Sequence, residues 1–65
     1  MEYSITQIAG KPNDFKYCNV CGHINWYENK NCIGCNKKKF NKMTDEDAKD
    51  LLKDFKGEEW TELEV

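Results

Sequence analysis

Four cysteines at positions 18, 21, 32 and 35 constrain this chain more than anything else in it. They form two Cys-x-x-Cys pairs separated by ten residues, in a chain of only 65. A Cys-x-x-Cys turn brings two thiolates to one side of an ion, and two such turns supply the four soft ligands of a tetrahedral zinc site. Ten intervening residues suffice for a strand, a turn and a return. Gly22 directly follows the first pair and Gly34 lies inside the second, where a missing side chain lets backbone N–H groups approach sulfur. The spacing therefore predicts one structural Zn²⁺ held by Cys18, Cys21, Cys32 and Cys35.

The rest of the chain needs such a staple. At 65 residues there is room for one domain, and only 38% of the residues are hydrophobic. A chain this short buries only ~60% of its unfolded surface and leans on a disulfide, a metal or a partner. The first ten residues, MEYSITQIAG, have neither the basic start nor the apolar run of a secretory signal. No stretch is long enough to cross a membrane. The expected location is cytoplasmic, where disulfides are rare and paired cysteines bind metal. A thioredoxin-like redox pair needs a strand–helix unit for which there is no space. Four thiolates also leave no coordination position open for water, which argues against catalytic zinc. His23 is the one alternative ligand. No catalytic constellation stands out, so the chain is expected not to be an enzyme, and no small-molecule substrate is expected.

Read along its length, the chain divides into four parts. Residues 2–8 read as a strand within an N-terminal strand-and-turn segment, 1–14, whose turn is Gly10-Lys11-Pro12-Asn13-Asp14. The cysteine finger spans 15–39. An amphipathic helix follows within 44–57. Thr44 is its N-cap and Asp45, Glu46 and Asp47 suit the positive end of its dipole. Ala48, Leu51, Leu52 and Phe55 form its apolar stripe, and Gly57 ends it. Residues 45–56 are assigned to the helix, and three turns do not stand alone, so the stripe must dock, with the zinc module as nearest candidate. In the tail, 58–65, Thr61, Leu63 and Val65 alternate as in a strand, while Trp60 is placed to fold back on the helix. The predicted fold class is a small metal-stabilised α+β domain, a zinc-ribbon-like finger with two knuckles, short hairpins and one C-terminal helix.

The segment Cys21-Gly22-His23-Ile24-Asn25-Trp26, with six residues between Asn25 and Cys32, resembles the zinc finger first described in the Ran-binding nucleoporin. It is equally similar to short prokaryotic zinc ribbons. The likeness covers about residues 15–39. It implies that Asn25 braces the two knuckles through backbone bonds. Fingers of this family bind ubiquitin or single-stranded RNA, among other partners. The ubiquitin binders carry Thr-Phe where this chain has Gly22-His23. The RNA binders carry an aromatic residue after the asparagine, matched here by Trp26, and two arginines close behind, where this chain has Glu28 and Asn29. Lys16 stands where the family places a tryptophan. A rubredoxin-like iron site spaces its two knuckles much further apart.

Charge gives two expectations for partners. Residues 1–43 carry seven lysines against three acids, a balance of +4, and residues 44–65 carry three lysines against nine acids, −6; together they give the net −2. The acidic C-terminal part and the absence of arginine point to docking on a protein as an adaptor or accessory factor. The basic finger supports an alternative, RNA or single-stranded DNA, with Trp26, Tyr27, Lys30, Lys37, Lys38 and Lys39 as the binding residues.

Overall fold

Ser4 ends the first strand and starts a helix. A computed structural model describes residues 1–65, and its first strand, β1, runs only over Glu2–Ser4. The Ser4 Oγ accepts a bond from the Gln7 amide at 3.2 Å while the Gln7 Oε1 accepts from the Ser4 amide at 2.8 Å. This capping box turns Ile5–Gly10 into helix α1. The predicted strand over 2–8 is thus half strand and half helix. Ile5, Thr6 and Ile8 favour strands as residue types, but the Ser-x-x-Gln spacing and the burial of Ile5 and Ile8 on one helical face override that preference.

A 3₁₀ turn, Pro12–Asp14, leads into β2, Phe15–Cys18. Strand β3, Ile24–Trp26, pairs antiparallel on one side of β2, with Phe15 opposite Trp26. Strand β4, Phe40–Lys42, pairs on the other side, with Cys18 opposite Phe40. The run 36–42, which is too polar to form core apart from Phe40, therefore contributes a strand at its end, Phe40–Lys42, paired to β2. Because side chains alternate across a strand, Phe15, Tyr17, Ile24 and Trp26 share one face of this sheet, and Lys16, Cys18, Asn25 and Lys42 the other.

Helix α2 covers Asp45–Asp54 behind a second capping box, in which Thr44 and Asp47 exchange bonds of 3.2 and 2.9 Å. Gly57, at φ +86°, turns the chain away in a conformation that side chains disfavour. The last strand, β5, Glu62–Glu64, pairs antiparallel with β1. This resolves the tail as strand, and Trp60, 75% exposed, does not fold back on the helix.

The apolar stripe of α2 docks elsewhere than expected. It packs against α1 and the 3₁₀ turn, with Ala48 buried and Leu51 reaching a core of Ile8, Phe15, Met43 and Val65. Leu52 stays exposed. The core joins residues from α1, β2 and both flanks of α2, so the N- and C-terminal segments fold as one layer over the finger sheet. Only 10 of 65 residues are buried, which leaves the cysteine cluster as the second organising element.

Glu2 sits directly opposite Glu64 in the β1–β5 pair. Like charges at opposed positions repel, and here only the chain's amino terminus, 3.3 Å from the Glu64 carboxylate, offsets them. Replacing Glu2 by lysine is expected to stabilise the protein by about 0.5 kcal/mol. A rise in denaturant midpoint at unchanged slope is the measurement; no rise means the pair is solvated and silent.

Candidate metal centre

Two short hairpins present the four sulfurs, and they are built alike. In the first, the Gly22 amide donates to the Cys18 carbonyl at 2.8 Å, the Cys18 amide to the His23 carbonyl at 2.9 Å, and the Val20 amide to the Cys18 sulfur at 3.4 Å. In the second, the Asn36 amide donates to the Cys32 carbonyl at 2.8 Å, the Cys32 amide to the Lys37 carbonyl at 2.8 Å, and the Gly34 amide to the Cys32 sulfur at 3.3 Å. Each knuckle thus closes on itself and points a backbone N–H at its leading sulfur.

The residue after each pair adopts a left-handed conformation: Gly22 at φ +78° and Asn36 at φ +64°. Glycine and asparagine are the residues that take this conformation most readily. Gly22 has open space around it, so its need is conformational alone. Gly34 is different. A methyl group there would meet His23 at 3.4 Å and the Cys21 sulfur at 3.6 Å, ordinary contact distances, so the two knuckles pack close here but leave room for a small side chain. Gly22→Ala is expected to cost about 1–2 kcal/mol, and Asn36→Gly close to nothing. Chelator competition and thermal melts on both variants check the pair, and equal effects would contradict the conformational explanation.

The four sulfurs lie within 4.8 Å of one another. Cys18 and Cys35 approach to 3.4 Å and Cys21 and Cys32 to 3.6 Å. All four are free thiols, since a disulfide brings sulfurs to ~2.05 Å. A tetrahedral ion with metal–sulfur bonds of ~2.3 Å places its ligands ~3.8 Å apart, so this donor set fits a single thiophilic cation. Cys18 and Cys32 are buried, Cys35 half-buried and Cys21 exposed. His23 is not among the donors. Its ring nitrogen Nε2 lies 2.9 Å from the Glu64 carbonyl, which ties the first knuckle to β5.

Ionisation of the cluster is graded. Burial works against the Cys32 thiolate, yet N–H groups of Cys35 and Gly34 and the Asn25 amide outweigh it, and its pKa falls to about 6. The Cys21 backbone N–H does most to lower that of Cys18. Cys35 receives a favourable bond from the Lys37 backbone, but burial and the Cys18, Cys21 and Cys32 sulfurs beside it push it up to about 12. The first thiolates form readily and the last only against their charge. A cation removes that conflict.

Asn25 is wholly buried between the knuckles. Its amide donates to the His23 carbonyl at 3.0 Å and the Cys32 sulfur at 3.5 Å. Its Oδ1 accepts from the Ile33 amide at 2.9 Å and the Asn29 amide at 3.2 Å. These bonds run from one knuckle to the other. Asn29, which stands at one of the arginine positions of the RNA-binding fingers, extends the brace by donating to the Val65 carbonyl. Nothing local in the sequence marks a contact between residues 29 and 65.

The aromatic–lysine surface read from the sequence is divided. Trp26 is half-buried, with its ring parallel to Tyr3 at 5.7 Å and edge-on to Phe15 at 5.5 Å. It packs on these rings and not on the α2 stripe. It lines one cleft with Lys11, whereas Tyr27, 51% exposed, lines another with Lys16 and Lys42. Neither cleft includes Lys30 or Lys37–Lys39, which are exposed. Lys16 also reaches the Asn29 carbonyl and lies 3.9 Å over the Phe40 ring.

No helix is long and apolar enough to cross a membrane. A scan against protein-family models and searches of curated proteins and solved structures found nothing that matches this chain. The chain is a small α+β protein with a four-cysteine cluster positioned to bind a metal ion.

Proposed function

We propose that Cys18, Cys21, Cys32 and Cys35 hold one zinc ion as a structural cross-link, and that the folded chain is a non-enzymatic docking module for a protein partner in a reducing, cytoplasmic setting. The observation that carries the metal reading is the pair of matched knuckles aiming backbone N–H groups at sulfur. Zinc is the ion that an all-thiolate tetrahedron suits best among those abundant in cells. Four protein ligands complete that tetrahedron, which supports a structural over a catalytic role.

Docking on protein rather than nucleic acid is supported by the packing of Trp26. The aromatic best placed to stack on a base has one face against Tyr3. Its indole N–H is 3.4 Å from the Glu28 carboxylate, a charge that repels phosphate. The lysines of the finger are spread over separate surfaces, and none of them is an arginine able to read guanine in bidentate fashion.

Elemental analysis of tag-free protein is expected to give one zinc per chain. Titration of that protein with oligonucleotides at low salt is expected to leave its amide resonances unmoved. Saturable shifts at Tyr27 and the finger lysines would instead establish the nucleic-acid reading.

A further inference from the structure

Between α2 and the β2–β3 hairpin runs a groove of about 340 Å³. Tyr17, Ile24, Met43 and Leu51 give it an apolar floor. Asp47, Asp50 and Asp54 line it from α2, at spacings of three and four residues that keep them on one helical face. The one ion pair in the protein joins its amino terminus to Glu64, so no lysine is in ion-pair contact with the three aspartates. Asp47 spends one oxygen on the Thr44 cap, and the carboxylates of Asp50 and Asp54 are exposed.

We propose that this groove docks a basic peptide segment of a partner protein, one that sets an apolar side chain on the floor and lysine or arginine heads against the three aspartates. The inference rests on the protein-docking reading and specifies its partner. Long cationic side chains suit the site because their stems lie on apolar surface while their charges reach the rim. Charges beside an apolar floor interact more strongly than charges in open water. Phosphate-bearing ligands are repelled by the same three carboxylates. A second copy of this chain is a poor occupant. Its basic run Lys37–Lys39 leads straight into Phe40, which is held in β4 beneath the Lys16 ammonium and is not free to enter a groove.

The test is an amide-resonance titration of the zinc-loaded full chain with a capped peptide of alternating lysine and leucine. The same peptide with glutamate for lysine, and oligothymidylate, serve as comparisons. Shifts are expected at Tyr17, Ile24, Met43 and Leu51 with the lysine peptide alone, weakening as salt rises. The Asp50→Asn/Asp54→Asn double variant alters two exposed positions and is expected to keep the fold and lose about fivefold in affinity. Equal binding of the glutamate peptide, an unchanged affinity in the double variant, or shifts confined to Lys16, Tyr27 and Lys42 would overturn the groove while leaving protein docking intact. Concentration-dependent shifts at the floor residues without peptide would overturn it in favour of self-association. Binding of oligothymidylate with no peptide binding would remove the docking reading itself.

Discussion

Stripping the metal with excess chelator is expected to collapse the helices and strands together, with loss of helical circular dichroism and of amide dispersion. In small metal domains the free energy of ion binding is folding free energy, an apparent ~10–16 kcal/mol for structural zinc. Here ten buried residues are the whole interior, so little else opposes the disorder of the chain. Cys32→Ser is expected to have the same effect, because Cys32 is buried and receives bonds from Gly34 and Asn25. The pH dependence has a definite sign. In the small fraction of metal-free chains that hold the fold, Cys32 has a pKa of about 6 against an ordinary 9.0. Its stabilisation is complete above pH 9 and is lost as pH falls towards 6. Cys35, at about 12, behaves oppositely: its contribution is complete below pH 9 and is lost as pH climbs towards 12. An ion bound by all four sulfurs must therefore displace the Cys35 proton at neutral pH. Calorimetry in buffers of different ionisation enthalpy is expected to register proton release on binding, with affinity rising with pH. A chain that keeps its fold in chelator, with no metal in the sample, would end this account.

The metal centre was legible because its signal is local. Cys-x-x-Cys fixes a turn, and two such turns at a ten-residue spacing leave few ways to arrange four sulfurs. Helix α2 was legible for the same reason, since its cap and stripe lie within a dozen residues. What failed to show depends on contacts across the chain. Ile5 and Ile8 are strand-formers by residue type, and only their burial beneath α2, together with the Ser4–Gln7 cap, makes them helical. Residues 36–42 are too polar to form core apart from Phe40, yet an outer strand needs only a partner with free backbone groups, and β2 supplies one to Phe40–Lys42. Trp26 follows Asn25 as the base-stacking aromatic does in the RNA-binding fingers, but what its ring packs on lies outside the finger. The N-terminal segment brings Tyr3 against it, and no pattern within residues 15–39 announces that contact.

Asn25→Ala is expected to cost the metal-loaded protein about 2–3 kcal/mol: the Ile33 amide loses its partner, and the His23 carbonyl and the Cys32 sulfur each lose one of their two donors, keeping the Cys18 and Gly34 amides. Truncation alone does not separate lost bonds from a lost volume, and Asn25→Asp does. Aspartate keeps the shape and still accepts from the Ile33 amide, but it has no N–H to offer His23 or Cys32. It also buries a carboxylate about 3.5 Å from the Cys32 thiolate, which repels it and adds negative charge to the four-thiolate cluster. If the donated bonds and the charge matter, the aspartate variant will be at least as unstable as the alanine variant. It will also surrender its metal to a chelator at lower concentration. If Asn25 serves only to fill space, aspartate will match the parent protein in both measurements. The second outcome would mean that the two knuckles are held together by the ion alone, with Asn25 as packing beside it.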